Sequence, residues 1–236
     1  MAVLLTKRRD HDPQIGHFTM LLETLRRKAV ERKLLKPEET LDAAQAFYLV
    51  RDMPYIRASS RDPETIIQEW RGTCSGKHYL LKKLFAELGY GSRLIACTTV
   101  LHIDPKEARG KLRKLLEQSN GRFVDLHNYL VLELPDKDMI VDATWPLATK
   151  GMGTVVNEHF VLGEDHQIAC TPIKTWVVPE DRNSQEFKDE ILRDSFTPQE
   201  LAHRDEFIKT LGVMTNSPWI KFQLWLEGIL KGRPAR

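Results

Sequence analysis

With 236 residues, 42% of them hydrophobic and 29% charged, the chain is long enough to bury a real core and lacks the polar composition of a disordered segment. Lys and Arg number 35 against 33 Asp and Glu, and a formal charge of +2 is too small to draw the chain to a polyanion, so no nucleic-acid partner is expected. No run nears the roughly 20 apolar residues of a membrane span, and the opening MAVLLTKRRDHD lacks the charged-then-apolar order of a secretory leader, so a cytoplasmic protein is expected.

The first half reads as helices. Leu21, Leu22, Leu25 and Ala29 recur at helical spacing, and Leu41, Ala44, Phe47, Tyr48 and Val50 form a second amphipathic stretch that Pro54 closes. Asp62-Pro63 predicts a helix start, with the carboxylate placed to cap and proline at the first helical position; the short helix carries Ile66 and Ile67. After Arg71-Gly72-Thr73 the clearest helix runs from about Cys74 to Leu88, with Leu81, Leu84, Phe85 and Leu88 on one face and Gly89 as its C-terminal cap.

The pattern then turns to strands over residues 93–101, 128–134 and 139–144, with a polar turn at Pro135-Asp136-Lys137-Asp138 between the last two. Residues 105–119, with Lys111, Arg113 and Lys114, read as a charged surface helix or loop, and further strands are predicted over 155–162 and 173–178. From Arg182 the chain is helical again, opening one helix with the capping box Thr197-Pro198-Gln199-Glu200. Helices followed by an antiparallel sheet predict an α+β fold, with a catalytic domain over 1–182 and a helical extension over 183–236. A last helix predicted over 219–230 carries Trp219, Phe222, Leu226 and Ile229 on one stripe and is followed by Lys231, Arg233 and Arg236; it is expected to pack on the domain or on a second copy in a homodimer, with a partner or an anionic membrane surface as the alternative.

Three cysteines without a C-x-x-C pair suit a reducing compartment and argue against a disulfide framework or a zinc knuckle. Cys97, inside the apolar run 94–100, reads as a small buried hydrophobe, and Cys170 looks similar. Cys74 differs, flanked by Gly72, Thr73, Ser75 and Gly76 at the start of a helix. There the helix dipole and unpaired amides favour thiolate, the same amides can hold an oxyanion, and the glycines leave room for backbone and substrate to approach.

A thiolate nucleophile needs a general base and a group that orients it. His127 and Asp142 lie in the two strands joined by the Pro135 turn. A two- or four-residue loop places Asp142 opposite Tyr129 or Val131, on the sheet face of His127, whereas a three-residue loop would separate them.

The stretch Trp70-Arg71-Gly72-Thr73-Cys74, followed by an amphipathic helix ending Leu88-Gly89-Tyr90-Gly91-Ser92-Arg93, resembles the cysteine motif of the transglutaminase-like superfamily. His127-Asn128-Tyr129 and Val141-Asp142-Ala143-Thr144-Trp145 resemble its histidine and aspartate motifs, and the similarity covers residues 43–146. The resemblance implies a papain-like fold and a triad of Cys74, His127 and Asp142 that acts on a small-molecule, peptide or carrier-bound acyl substrate by hydrolysis or transamidation, with no metal or organic cofactor. Arg71-Gly72-Thr73-Cys74 is also similar to the arylamine N-acetyltransferases, from which Ser75-Gly76-Lys77-His78 departs, so transfer from a carrier or CoA thioester to an amine is the second reading; a non-catalytic binding module is the third.

Around the triad, Gln68, six residues before Cys74, stands where papain-like enzymes carry an oxyanion glutamine. Trp70 reads as a wall of the site or as core, and Ser75 and Asn128 as oxyanion or substrate contacts, with Asn128 and Tyr129 equally suited to packing beside the triad. His78, one turn after Cys74, is expected at solvent or the cleft rim, since a Cys74-His78 metal pair has no evident third ligand.

Overall fold

The computed structural model describes residues 20–151 and 153–215; the leader reading and the 219–230 helix lie outside the described residues. Four helices come first: α1 (Leu21–Glu31), α2 (Ala43–Arg51), α3 (Pro63–Glu69) and α4 (Cys74–Glu87). α2 begins in a capping box, with Gln45 N–H donating to Asp42 at 2.8 Å and Asp42 N–H donating to the Gln45 side chain at 3.1 Å. α3 starts at Pro63 as expected, but the Asp62 side chain makes no capping bond.

α3 stops at Trp70, which holds the left-handed conformation (φ 52°) that bulky residues rarely adopt. The reversal lets Gly72 N–H reach the Pro54 carbonyl at 3.1 Å and feeds the chain into α4 with Cys74 as its first residue. A Cβ on Gly76 would stand 2.6 Å from Ile66 Cδ1. The small-residue requirement there comes from the packing of α3 on α4, not from room for substrate.

The sheet is antiparallel in the order β3-β2-β1-β4, from β1 (Gly91–His102), β2 (Arg122–Glu133), β3 (Asp138–Val141) and β4 (Lys174–Val177). Between β1 and β2 the basic insertion forms a 3-10 turn and α5 (Gly110–Gln118), whose Leu112 and Leu116 are buried against Phe207, so this segment docks as well as facing water. Residues 155–162 form no strand. The Asn157 and Glu158 carbonyls accept from Arg51 Nη1 at 3.1 and 2.8 Å, and Phe160 N–H donates to the Tyr48 hydroxyl at 3.0 Å, so side chains satisfy the backbone groups a ladder would have used.

Two helices close the described chain, α6 (Ser184–Ser195) and α7 (Pro198–Thr215). The box at α7 forms as read: Glu200 N–H donates to Thr197 Oγ1 at 3.3 Å and Thr197 N–H to Glu200 Oε2 at 2.9 Å. One core joins these layers: Phe47 of α2, Leu80, Leu81, Leu84 and Phe85 of α4, Leu94 and Ala96 of β1, Leu126, Leu130 and Leu132 of β2, and Ile191 and Leu192 of α6. Each buried leucine, isoleucine or phenylalanine side chain among them is worth roughly 1.5–3 kcal/mol when taken from water. The molecule is α+β, and among the described residues no helix is long and apolar enough to cross a membrane.

Candidate active site

The β2–β3 register settles the relation of His127 to Asp142. Glu133 pairs with Asp138 and Leu130 with Val141, across a four-residue loop. Asp142 is the next residue, level with Tyr129 and on the His127 side, and the gap closes: His127 Nε2 and Asp142 Oδ2 are 2.7 Å apart. That leaves Nδ1 of His127 free of the carboxylate, and the ring and the Cys74 sulfur lie close enough for each to shift the titration of the other. All three side chains are buried, and Thr73, which precedes α4, caps none of its first amides with its side chain.

Burial alone would push the Cys74 thiol up, but the Lys188 ammonium and the His127 ring outweigh it and bring the thiol down to about 6. For His127, burial works against the charged ring, and Asp142 and the cysteine overcome it, so the imidazole keeps its proton well above its ordinary range. Asp142 follows the same logic with opposite sign: burial opposes its charge, while the charge and hydrogen bond of His127 outweigh it and hold the carboxyl well below the usual carboxylate range. The three groups sit as thiolate, imidazolium and carboxylate near neutral pH.

Asp142 is also a junction of the backbone. Its carboxylate accepts from Thr144 N–H at 3.0 Å and Ala169 N–H at 2.9 Å, and its carbonyl accepts from Asn157 Nδ2 at 2.9 Å. Its own N–H donates to His166 Nδ1 at 3.2 Å, while the next amide, Ala143 N–H, donates to His78 Nε2 at 2.9 Å. Acting as acceptors, both imidazoles must be neutral, with the other nitrogen donating to the Cys74 carbonyl (His78, 2.7 Å) and the His159 carbonyl (His166, 3.0 Å). His78 is therefore fully buried rather than at the cleft rim, and burial brings it down to about 4. It ties the start of α4 to the residue after Asp142. Beside it, Lys77 Nζ donates to the Arg51 and Thr144 carbonyls at 2.7 and 3.0 Å.

The other wall comes from the helices after residue 182, in which the sequence singles out no site residue. Lys188 of α6 is buried, and its ammonium donates to Ser75 Oγ at 2.7 Å and to the Leu126 carbonyl at 2.5 Å. The Ser75 hydroxyl donates in turn to Asn128 Oδ1 at 2.9 Å, and Asn128 Nδ2 donates to the Ile95 carbonyl at 3.1 Å. Both predicted contact residues are thus committed to a buried relay that fixes Lys188. Arg204 of α7 pairs with Asp125, two residues before His127, at 2.6 Å. Tyr55, its ring tilted against Trp145 with centroids 4.3 Å apart, is buried, and burial and the nearby Cys74 sulfur hold its phenol well above its ordinary range. Tyr55, Lys188, Asp125 and Arg204 have no local motif that would have marked them.

Two predicted residues are not brought to the thiol. Gln68 is exposed on α3, whose inward positions are taken by Ile66 and Ile67, so the oxyanion role falls away. Trp70 is core, with the Arg32 guanidinium 5.1 Å from its ring. Cys97 is buried as expected, and Cys170 is half-buried with its sulfur 3.8 Å from that of Cys97; neither is bonded in a disulfide. Among the described residues no His, Cys, Asp or Glu cluster could hold a metal ion. No protein-family model, curated protein or solved structure matches the chain.

Proposed function

We propose that the protein is a cysteine-dependent acyl-transfer enzyme of the transglutaminase-like kind, with Cys74 as nucleophile, His127 as acid and base, and Asp142 as the group that orients His127. The observation that carries this is the 2.7 Å His127–Asp142 bond beside a helix-terminal cysteine whose thiol is lowered to about 6. A helix-borne cysteine facing a histidine and an aspartate on an antiparallel sheet also fits a papain-like arrangement. In the reaction the Cys74 sulfur attacks an amide or thioester carbonyl and forms a C–S bond. The oxygen gains the negative charge and is held by the uncapped amides at the start of α4. His127 then gives its proton to the leaving nitrogen or sulfur as that bond breaks, leaving an acyl-enzyme thioester. Water or an amine attacks next, passes its proton to His127 and releases the product.

The cost of burying Lys188, Asp125 and Arg204 at the site supports chemistry over a passive binding groove, which gains nothing from tuning a thiol. An activated acyl ester, p-nitrophenyl acetate, tests the reading: intact-mass analysis should find one acetyl group, mapped to Cys74, and none in Cys74→Ala or His127→Ala. Release with and without added methylamine separates hydrolysis from transfer. Equal acetylation of all three cysteines, or none at Cys74, would overturn the proposal.

A further inference from the structure

Cys97 and Cys170 stand outside the triad but beside it. Cys97 lies in the middle of β1, opposite His127 of β2 and Thr175 of β4, so its side chain shares the sheet face of His127. It is fully buried in a small apolar cluster with Ile95 and Tyr129, against which Ile168 and Cys170 pack. The two sulfurs are 3.8 Å apart, a thiol–thiol contact between residues 73 positions apart in the chain. Cys170 is half-buried in a stretch, 164–173, that belongs to no helix or strand, the kind of segment that opens locally at small cost and admits a reagent.

This stretch also holds the triad. Ala169, the residue before Cys170, donates its N–H to Asp142 Oδ2 at 2.9 Å, and the same oxygen stands 2.7 Å from His127 Nε2. A disulfide needs its sulfurs about 2.05 Å apart, so the pair must close by roughly 1.8 Å to bond. Cys97 is fixed between two hydrogen-bonded strands, and the approach falls to Cys170, which draws Ala169 with it. A shift of that size breaks the Ala169 bond and frees the Asp142 oxygen to turn from His127.

We propose that Cys97 and Cys170 are a reversible redox pair whose disulfide loosens Asp142 and slows acyl transfer at Cys74; the second half of this inference rests on the function proposed above. The oxidant is a small organic disulfide. The Cys170 thiolate attacks one of its sulfurs and expels a thiol, and Cys97, giving up its proton, then attacks the Cys170 sulfur and expels the second. Two protein thiols become one disulfide, and the disulfide of the reagent is reduced to two thiols. The Cys97 sulfur and burial push the Cys170 thiol up, so the exchange is run at about pH 8.5, with 2-hydroxyethyl disulfide as the probe. In Cys74→Ala, peptide mass mapping should find Cys97 joined to Cys170, and dithiothreitol should undo the bond; mixed disulfides only, or no reaction, would overturn the pair. In the wild-type chain, p-nitrophenyl acetate is added once the oxidant is removed. Tagging of the unfolded protein with N-ethylmaleimide then separates paired, unpaired and reagent-bearing molecules by mass. Paired molecules should acetylate Cys74 roughly tenfold more slowly or worse, while Cys170→Ser, carried through the same treatment, should keep the rate of unpaired wild type. Equal rates in paired and unpaired molecules would overturn the coupling. Cys74 left unacetylated even in fully reduced protein would sink the acyl-transfer reading and the coupling with it, with the pair itself still decided by Cys74→Ala.

Discussion

Replacing Lys188 with Met removes the ammonium beside Cys74 while keeping a side chain of similar length. The Lys188 nitrogen is 2.7 Å from Ser75 Oγ, and that oxygen is 4.0 Å from the Cys74 sulfur, so laying the two legs end to end puts the charge within about 7 Å of the sulfur. At an effective dielectric of about 20, a unit charge pair at about 7 Å is worth roughly 2.4 kcal/mol, or about 1.7 pH units. The end-to-end distance is the longest possible, which makes this a lower figure for a charged Lys188, while burial weakens the hold of Lys188 on its own proton and takes part of it away. The Cys74 midpoint, about 6 in the wild type, should rise by roughly 1 to 1.7 pH units in the variant. The assay is iodoacetamide alkylation, resolved by peptide mass spectrometry from pH 5 to 9. A rate at one pH is a poor readout, since nucleophilicity climbs with basicity (Brønsted slope about 0.4–0.5) and offsets much of the lost thiolate. The midpoint escapes this. A variant midpoint still near that of the wild type, or a wild-type midpoint at the ordinary thiol value of about 8.5, would refute the reasoning.

Gly76→Ala should destabilise the fold by about 1–3 kcal/mol in urea unfolding despite the better helix propensity of alanine, because its methyl meets Ile66 Cδ1, and pairing it with Ile66→Val, which removes that methyl, should recover most of the loss. Acid should weaken the fold through His78: its folded value of about 4 lies below its ordinary 6.5, so the unfolded chain takes up the proton first and stability falls between pH 6.5 and 4, by about 3 kcal/mol for this group. The His166 imidazole, also lowered by burial, acts in the same direction, and Asp142 adds a further loss below about pH 4 as its carboxylate is protonated. His78→Gln should be less stable at pH 7 yet show a flatter slope across that window, and a slope equal to that of the wild type would contradict the assignment. Asp142→Asn should lower turnover of any substrate found by about 10³-fold or more and raise the Cys74 alkylation midpoint, since His127 loses the anion that keeps it charged.

The parts of the site that follow from short-range signals were legible in the sequence. A glycine-flanked cysteine before an amphipathic run specifies α4 and its N-terminal residue, and the polar Pro135 turn limits the register well enough to place Asp142 on the face of His127. What escaped is long-range. Lys188 meets Ser75 across 113 residues of chain, and nothing in either neighbourhood encodes the meeting. His78 misled because no partner for it is evident in its own stretch of sequence, whereas two backbone partners make it a buried strut. The absent strand over 155–162 has the apolar content of one, but Val161 and Leu162 are exposed and Arg51 and Tyr48 claim the main-chain groups of its middle, a competition that pattern reading does not see.

The dependence of Cys74 on α6 and α7 makes the division near residue 182 one of sequence and not of working parts. A chain cut there would retain cysteine, histidine and aspartate but lose Lys188 and Arg204, leaving Asp125 as an unopposed negative neighbour of the sulfur. Such a fragment would keep His127 as the cationic partner of the sulfur but lose the ammonium beside it, so the tuning of the thiol belongs to the docking of the last helices as much as to the helix that bears it.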